Sequence, residues 1–228
     1  MTAECRNLSH SDISLYSNTT KTVACTSPHT AYTFAVPTLP TSVAFDGVQI
    51  KNDAVQNAAA SRCRSAFVTF IGGDEASRAL SRLTVTYFLP DQQDFDLGAH
   101  WVRCDVVALQ SADSLGELPD KVAGILNTPR ALDTYGVCAR GEPGAEAALV
   151  MCSQDHDYRA ISALRLGAVA DPYPGEQATL DTGKQRCQDL VATLLGRPDG
   201  FTYSWTYPST DDWATGQRFG YCWNQTAR

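Results

Sequence analysis

Eight cysteines constrain this chain more than any other feature: Cys5, Cys25, Cys63, Cys104, Cys138, Cys152, Cys187 and Cys222. They are even in number, widely spaced, and include no Cys-x-x-Cys pair. Structural zinc sites and thiol redox motifs draw on close pairs, so this spacing argues for disulfides and hence for an oxidising compartment. The competing expectation is eight buried thiols in a reducing cytosol.

The cysteines also mark an internal repeat. Aligning Cys25 with Cys152 places His29 on His156, in "CTSPH" and "CSQDH". The next cysteines, Cys63 and Cys187, each sit in a helix-like stretch, and Cys187, Leu190, Val191 and Leu194 predict a core-facing stripe. Aligning Cys104 with Cys222 superposes Pro90 on Pro208, Asp94 on Asp212, Phe95 on Trp213, Gly98 on Gly216 and Trp101 on Phe219 without a gap. Cys5 and Cys138 complete two sets of four. If both halves pair internally and alike, three schemes remain of the roughly 105 that eight cysteines allow. The favoured one is Cys5–Cys25, Cys63–Cys104, Cys138–Cys152 and Cys187–Cys222, each loop contributing on the order of 3 kcal/mol.

Each half reads as an extended segment, a helix, a strand and a closing strand. In the first half these are residues 22–36, residues 55–70, the β-branched run Leu83–Leu89 ended by Pro90, and the stretch through Cys104. A short helix after Pro90 takes Asp91 as its cap; in the second half Ser209 and Asp212 approach a capping box. Gly98 and Gly216 fit the stop of that turn. The expected fold is α+β, an internal duplication of a roughly β-α-β-β unit stapled by disulfides. Residues 1–117 would form the first repeat and residues 118–228 the second, either separate or packed as one pseudo-twofold domain.

With 228 residues, 43% of them hydrophobic, the chain can bury a substantial core. The net charge of −7 and the lack of any Lys/Arg run longer than two argue against nucleic-acid binding. No apolar run approaches a membrane span, so membrane attachment is expected only through an anchor outside this sequence. No metal or cofactor is expected.

These residues resemble a known family. "CTSPHTAYTFAV" resembles the Cys-x-x-Pro-His motif of the actinobacterial septum formation family, and "YPSTDDWATGQRFGYCW" resembles its closing Pro-x-x-x-x-Trp-x-x-Gly-x-Arg-x-x-x-Cys signature. The Ser114–Gly116 element between the halves also fits. Phe95, His100 and Asp155 depart from the motifs, where the family pattern has Trp, Arg and Pro. The resemblance implies an exported envelope protein with a link to cell division, and no defined biochemical activity.

Two sets of residues are candidates for function. His29 and His156 occupy matched positions, either as ligand-contacting groups or as turn-satisfying architecture, and their acidic neighbours are not shared between the halves. Trp213, Arg218 and Tyr221, with Trp101 and Arg103, are residue types of binding hot spots if exposed. The structural alternative packs Trp213 on its own helix and bonds Arg218 to that helix's carbonyls. Hydrolase, phosphate-loop and dinucleotide motifs are absent, and no catalytic residue is assigned. The leading expectation is therefore a non-enzymatic extracytoplasmic module binding an envelope protein or cell-wall component. An envelope hydrolase using His29 or His156 and a small-ligand sensor are the alternatives.

Overall fold

The computed structural model describes residues 4–45, 47–128, 130–144 and 147–226. By packing, the chain forms two compact units, one of residues 1–72 and 83–128, the other of residues 73–82 and 129–228.

In chain order the first stretch contains strands β1 (Glu4–Arg6), β2 (Thr22–Val23) and β3 (Ala31–Ala35), then helix α1 (Asp53–Ile71). Helix α2 (Glu75–Ala79) follows and belongs to the second unit. Strand β4 (Leu83–Phe88), helix α3 (Gln92–Asp96), strand β5 (Arg103–Leu109) and the short strand β6 (Leu115–Gly116) complete the first unit. The second contains α4 (Ala131–Tyr135), β7 (Val137–Arg140), β8 (Ala148–Met151), β9 (Tyr158–Arg165), α5 (Glu176–Leu195), β10 (Tyr203–Thr206), α6 (Thr210–Ala214) and β11 (Phe219–Gln225). The α+β class is as expected. The shared element order, β-β-β-α-β-α-β, is longer than the expected β-α-β-β. The extra strands β1 and β2 span three and two residues, too few to carry an alternating pattern.

Each unit builds one antiparallel sheet. The strand orders are β2-β1-β3-β5-β4, with β6 added on β5, and β8-β7-β9-β11-β10. The registers match residue by residue under the cysteine alignment. Cys5 faces Val23 as Cys138 faces Val150; Cys5 faces Tyr32 as Cys138 faces Arg159; Tyr87 faces Cys104 as Trp205 faces Cys222. Even the irregularity recurs: Thr33/Ala35 opposite Asp105/Cys104 and Ala160/Ser162 opposite Trp223/Cys222 each skip one residue.

Four disulfides tie these ladders together: Cys5–Cys25, Cys63–Cys104, Cys138–Cys152 and Cys187–Cys222, with Cα separations of 5.2, 5.4, 5.0 and 5.2 Å. The first and third fasten the leading strand to the turn before β3 or beside β8. The second and fourth fasten the long helix to β5 and β11 respectively.

Helix α1 lays Val55, Ala59 and Cys63 on its sheet, joined in the core by Leu39, Ala44, Val48, Leu89, Phe95 and Val102. In α5 the buried row is Thr179, Gly183, Cys187 and Val191. The expected stripe is half wrong: Leu190 and Leu194 are 37% and 58% exposed. A single row at four-residue spacing makes the contact, because the Trp205 indole crosses the helix at Gly183, where a Cβ would come within 1.9 Å of the ring. The caps follow the sequence. Asp91 accepts from the Asp94 amide at 2.8 Å, Ser209 and Asp212 form a reciprocal capping box, and Gly98 and Gly216 take φ of 95° and 98°.

Candidate functional site

Two places in the molecule concentrate chemically capable side chains. The first is a buried charge network in the first unit. Alternation along the strands puts Arg6, Thr33, Asp105 and Arg103 on one face of the sheet, with Thr33 directly opposite Asp105 and Arg6 on β1 diagonal to Thr33. Arg6 Nη1 donates to Thr33 Oγ1 at 2.7 Å, and the Thr33 hydroxyl donates to Asp105 Oδ1 at 2.7 Å. Arg103 Nε donates to Asp105 Oδ2 at 2.9 Å, and its guanidinium lies 4.4 Å over the Phe88 ring. Arg6 Nε donates to Thr20 O, and the two outer nitrogens of Arg103 donate to Asn18 O and Oδ1. Burial pushes the Asp105 carboxyl up, opposed by attraction to Arg103 and the Thr33 bond. Both carboxylate oxygens are engaged by internal donors, and Asp105 is fully buried. The network therefore fastens the segment around Asn18 and Thr20 to the sheet and offers no open group to a substrate.

The second place is a cleft of about 710 Å³ in the second unit, at the start of α5 and the β10–α6 junction. Its lining includes the aromatic residues Tyr173, Trp205 and Tyr207, the acidic residues Glu176 and Asp212, and Ser209; among the described residues none that lines it is basic. Trp205 is held by its Nε1, which donates to Thr179 O at 3.2 Å, and by close approach to Gly183 and Gly220. Tyr173 packs edge-on to Trp213 at 5.6 Å. The Ser209 amide and hydroxyl both donate to Asp212 Oδ2, at 2.9 and 2.7 Å, and hold that carboxyl below the usual range. Burial pushes the Tyr207 hydroxyl up, and the nearby Glu176 charge adds to the shift.

The first unit fills the matching place. Leu89, aligned with Tyr207, is fully buried against Leu39, Ala44 and Val48 from the long connection of residues 36–52. The second unit's connection, residues 166–175, is shorter. Tyr173, Glu176, Trp205 and Tyr207 carried no motif, and sequence reasoning missed them. The signal that could have found them is this difference in connection length, beside the aromatic pair of "SWTYP".

The structure places the expected residues as follows. His29 Nδ1 lies 2.8 Å from Ser27 O, and His156 Nδ1 lies 2.7 Å from Gln154 O, the same contact in both units. His29 is 1% exposed, with Nε2 enclosed and unpartnered, whereas His156 is half-buried. Trp213, Arg218 and Arg103 do not form an exposed hot spot: they are 5%, 7% and 7% exposed. Trp213 Nε1 donates to Asp171 O at 2.8 Å. Arg218 lies 4.1 Å over the Trp213 ring and donates to Trp213 O, Ala168 O and Val169 O. These contacts use the polar groups internally, which is why the side chains can be buried. Trp101 and Tyr221 are half-buried, Trp101 bridging to Thr38 and Tyr221 beside Trp223. Trp101 and Arg103 lie in one unit, and Trp213, Arg218 and Tyr221 in the other. Among the described residues, no group of three or more His, Cys, Asp or Glu is arranged to hold a metal ion. No helix among them is long and apolar enough to cross a membrane.

Comparison with known proteins gives one result. A family model described as septum formation matches residues 2–222 in a single span covering both units. No curated protein and no solved structure matches.

Proposed function

Since the chain belongs to the septum formation family, we propose that it is an extracytoplasmic binding module of the cell envelope that acts in division by engaging an envelope protein or a cell-wall component. The observation that carries this reading is the aromatic and carboxylate cleft of the second unit. Concave sites with a few fixed polar groups are the usual form of a binding site. The four disulfides support an oxidising compartment. Binding is favoured over hydrolysis because neither His29 nor His156 lines the cleft. We also read the two units as copies of one ancestral unit; the matched registers and disulfides support this.

Two experiments test the proposal. Alkylation of intact cells should leave all eight cysteines unmodified until reductant is added; ready modification would overturn the extracytoplasmic reading. A labelled, oxidised protein should be retained by purified envelope and concentrate at division sites, and Tyr207→Leu should reduce that retention about tenfold with little change in melting. Unchanged retention would remove the cleft from the function.

A further inference from the structure

We infer that the cleft of the second unit receives a cationic side chain, an alkylammonium carried by a lysine of a partner peptide; this rests on the reading of that cleft as the binding site. The argument begins with charge. Glu176 and Asp212 both line the cleft, and among the described residues none that lines it is basic. The Ser209 amide and hydroxyl both meet Asp212 at Oδ2, so Oδ1 keeps its acceptor capacity while the carboxylate stays ionised. A neutral ligand covering two carboxylates would strip their water without returning charge. An anionic ligand would be repelled, and the net charge of −7 extends that preference beyond contact range. An ammonium group compensates both carboxylates.

The rings point the same way. Tyr173, Trp205 and Tyr207 bring three aromatic systems to one cleft. A cation within about 6 Å of such a ring centroid is attracted by the ring's quadrupole, and Trp is the best of these partners. Trp205 is held before any ligand arrives, through its Nε1 bond to Thr179 O and its seat against Gly183 and Gly220. Little ordering cost then falls on binding. A volume of about 710 Å³ exceeds one lysine side chain and leaves room for flanking peptide. In the first unit Leu89 is buried in the core at the position of Tyr207, so the inference applies to the second unit alone.

The test uses the oxidised full chain and follows the Trp205 indole N–H resonance. The probes are a blocked Gly-Lys-Gly peptide, its Nε-acetylated form, and a neutral trisaccharide. The lysine peptide should shift Trp205 saturably, weaken as salt rises, and lose about tenfold in affinity on acetylation. Glu176→Gln, at an exposed position, should weaken binding by roughly the same factor with unchanged melting, and Tyr207→Leu should do so independently. Equal binding of the acetylated peptide, or no lysine-dependent shift at Trp205, overturns the inference. A shift with the trisaccharide in place of the lysine peptide also overturns it and leaves the cleft as a binding site. Unchanged envelope retention of Tyr207→Leu would instead overturn the reading beneath it.

Discussion

The two units solve one backbone problem with opposite chemistry. On one face of the first sheet, Arg6, Thr33, Asp105 and Arg103 form a hydrogen-bonded charge network. The positions aligned with them in the second sheet are Ala139, Ala160, Trp223 and Tyr221, which belong to or pack on an apolar cluster with Val137 and Tyr158. The strand order and registers are the same. Backbone ladders and disulfides therefore hold the frame, and either a satisfied polar network or an aromatic cluster can fill it. The same trade appears across the sheet. Tyr87, Ala59 and Val102 in one unit align with Trp205, Gly183 and Gly220 in the other, so the larger indole coincides with the loss of two side chains. The motif departures are paired too: His100 packs on Phe95 at 4.7 Å where Arg218 packs on Trp213.

The largest expected effect is at the charge network. Asp105→Asn keeps the shape but leaves Arg103 buried without its counter-charge and should cost about 3–5 kcal/mol. Trp223→Phe, at the aligned position, should cost about 1–3 kcal/mol, the range for a modest loss of core volume. Denaturant melts of both would break the comparison if the two losses were equal.

Next comes volume. Gly183→Ala should destabilise by about 1–3 kcal/mol through collision with Trp205. Adding Trp205→Tyr should recover much of that, because it recreates the pairing of Ala59 with Tyr87. If the double variant is no more stable than Gly183→Ala alone, the compensation is refuted.

The histidines sharpen the comparison further. His29→Ala should cost about 1–3 kcal/mol, because its buried turn contact is lost. His156→Ala should cost less than about 1 kcal/mol, since water can replace the bond at a half-buried site. Thermal melts that rank them the other way would show that burial is not the deciding factor.

The smallest effect is at the caps. Ser209→Ala and Asp91→Ala should each cost about 1 kcal/mol. Of these two caps the one at Ser209 is the reciprocal box, and Asp212 is the carboxyl held low by it. Its folded-state value lies below the ordinary 3.8, so its contribution is present above that pH and is lost as the pH falls through the depressed value. Acid titration of wild type and Ser209→Ala should therefore show a difference that narrows as the pH falls below the ordinary carboxylate range, leaving only the amide-to-hydroxyl cap bond; a constant difference would contradict the box.

Cysteine pairing, the caps at Asp91 and Ser209, the glycine stops and the matched pattern of the two halves were legible in the sequence. Each acts over a few residues or shows as a pattern written twice, so local stereochemistry and alignment suffice to find it. The fate of Trp213, Arg218 and Arg103 was not legible, because a side chain's exposure depends on what distant segments lay over it: Ala168 and Val169 over Arg218, Asn18 over Arg103. The cleft was equally hidden. Whether the space beside an aligned Leu89 or Tyr207 is core or opening is set by how far the preceding connection reaches across the sheet, and that is a property of packed volume, which only the tertiary structure decides.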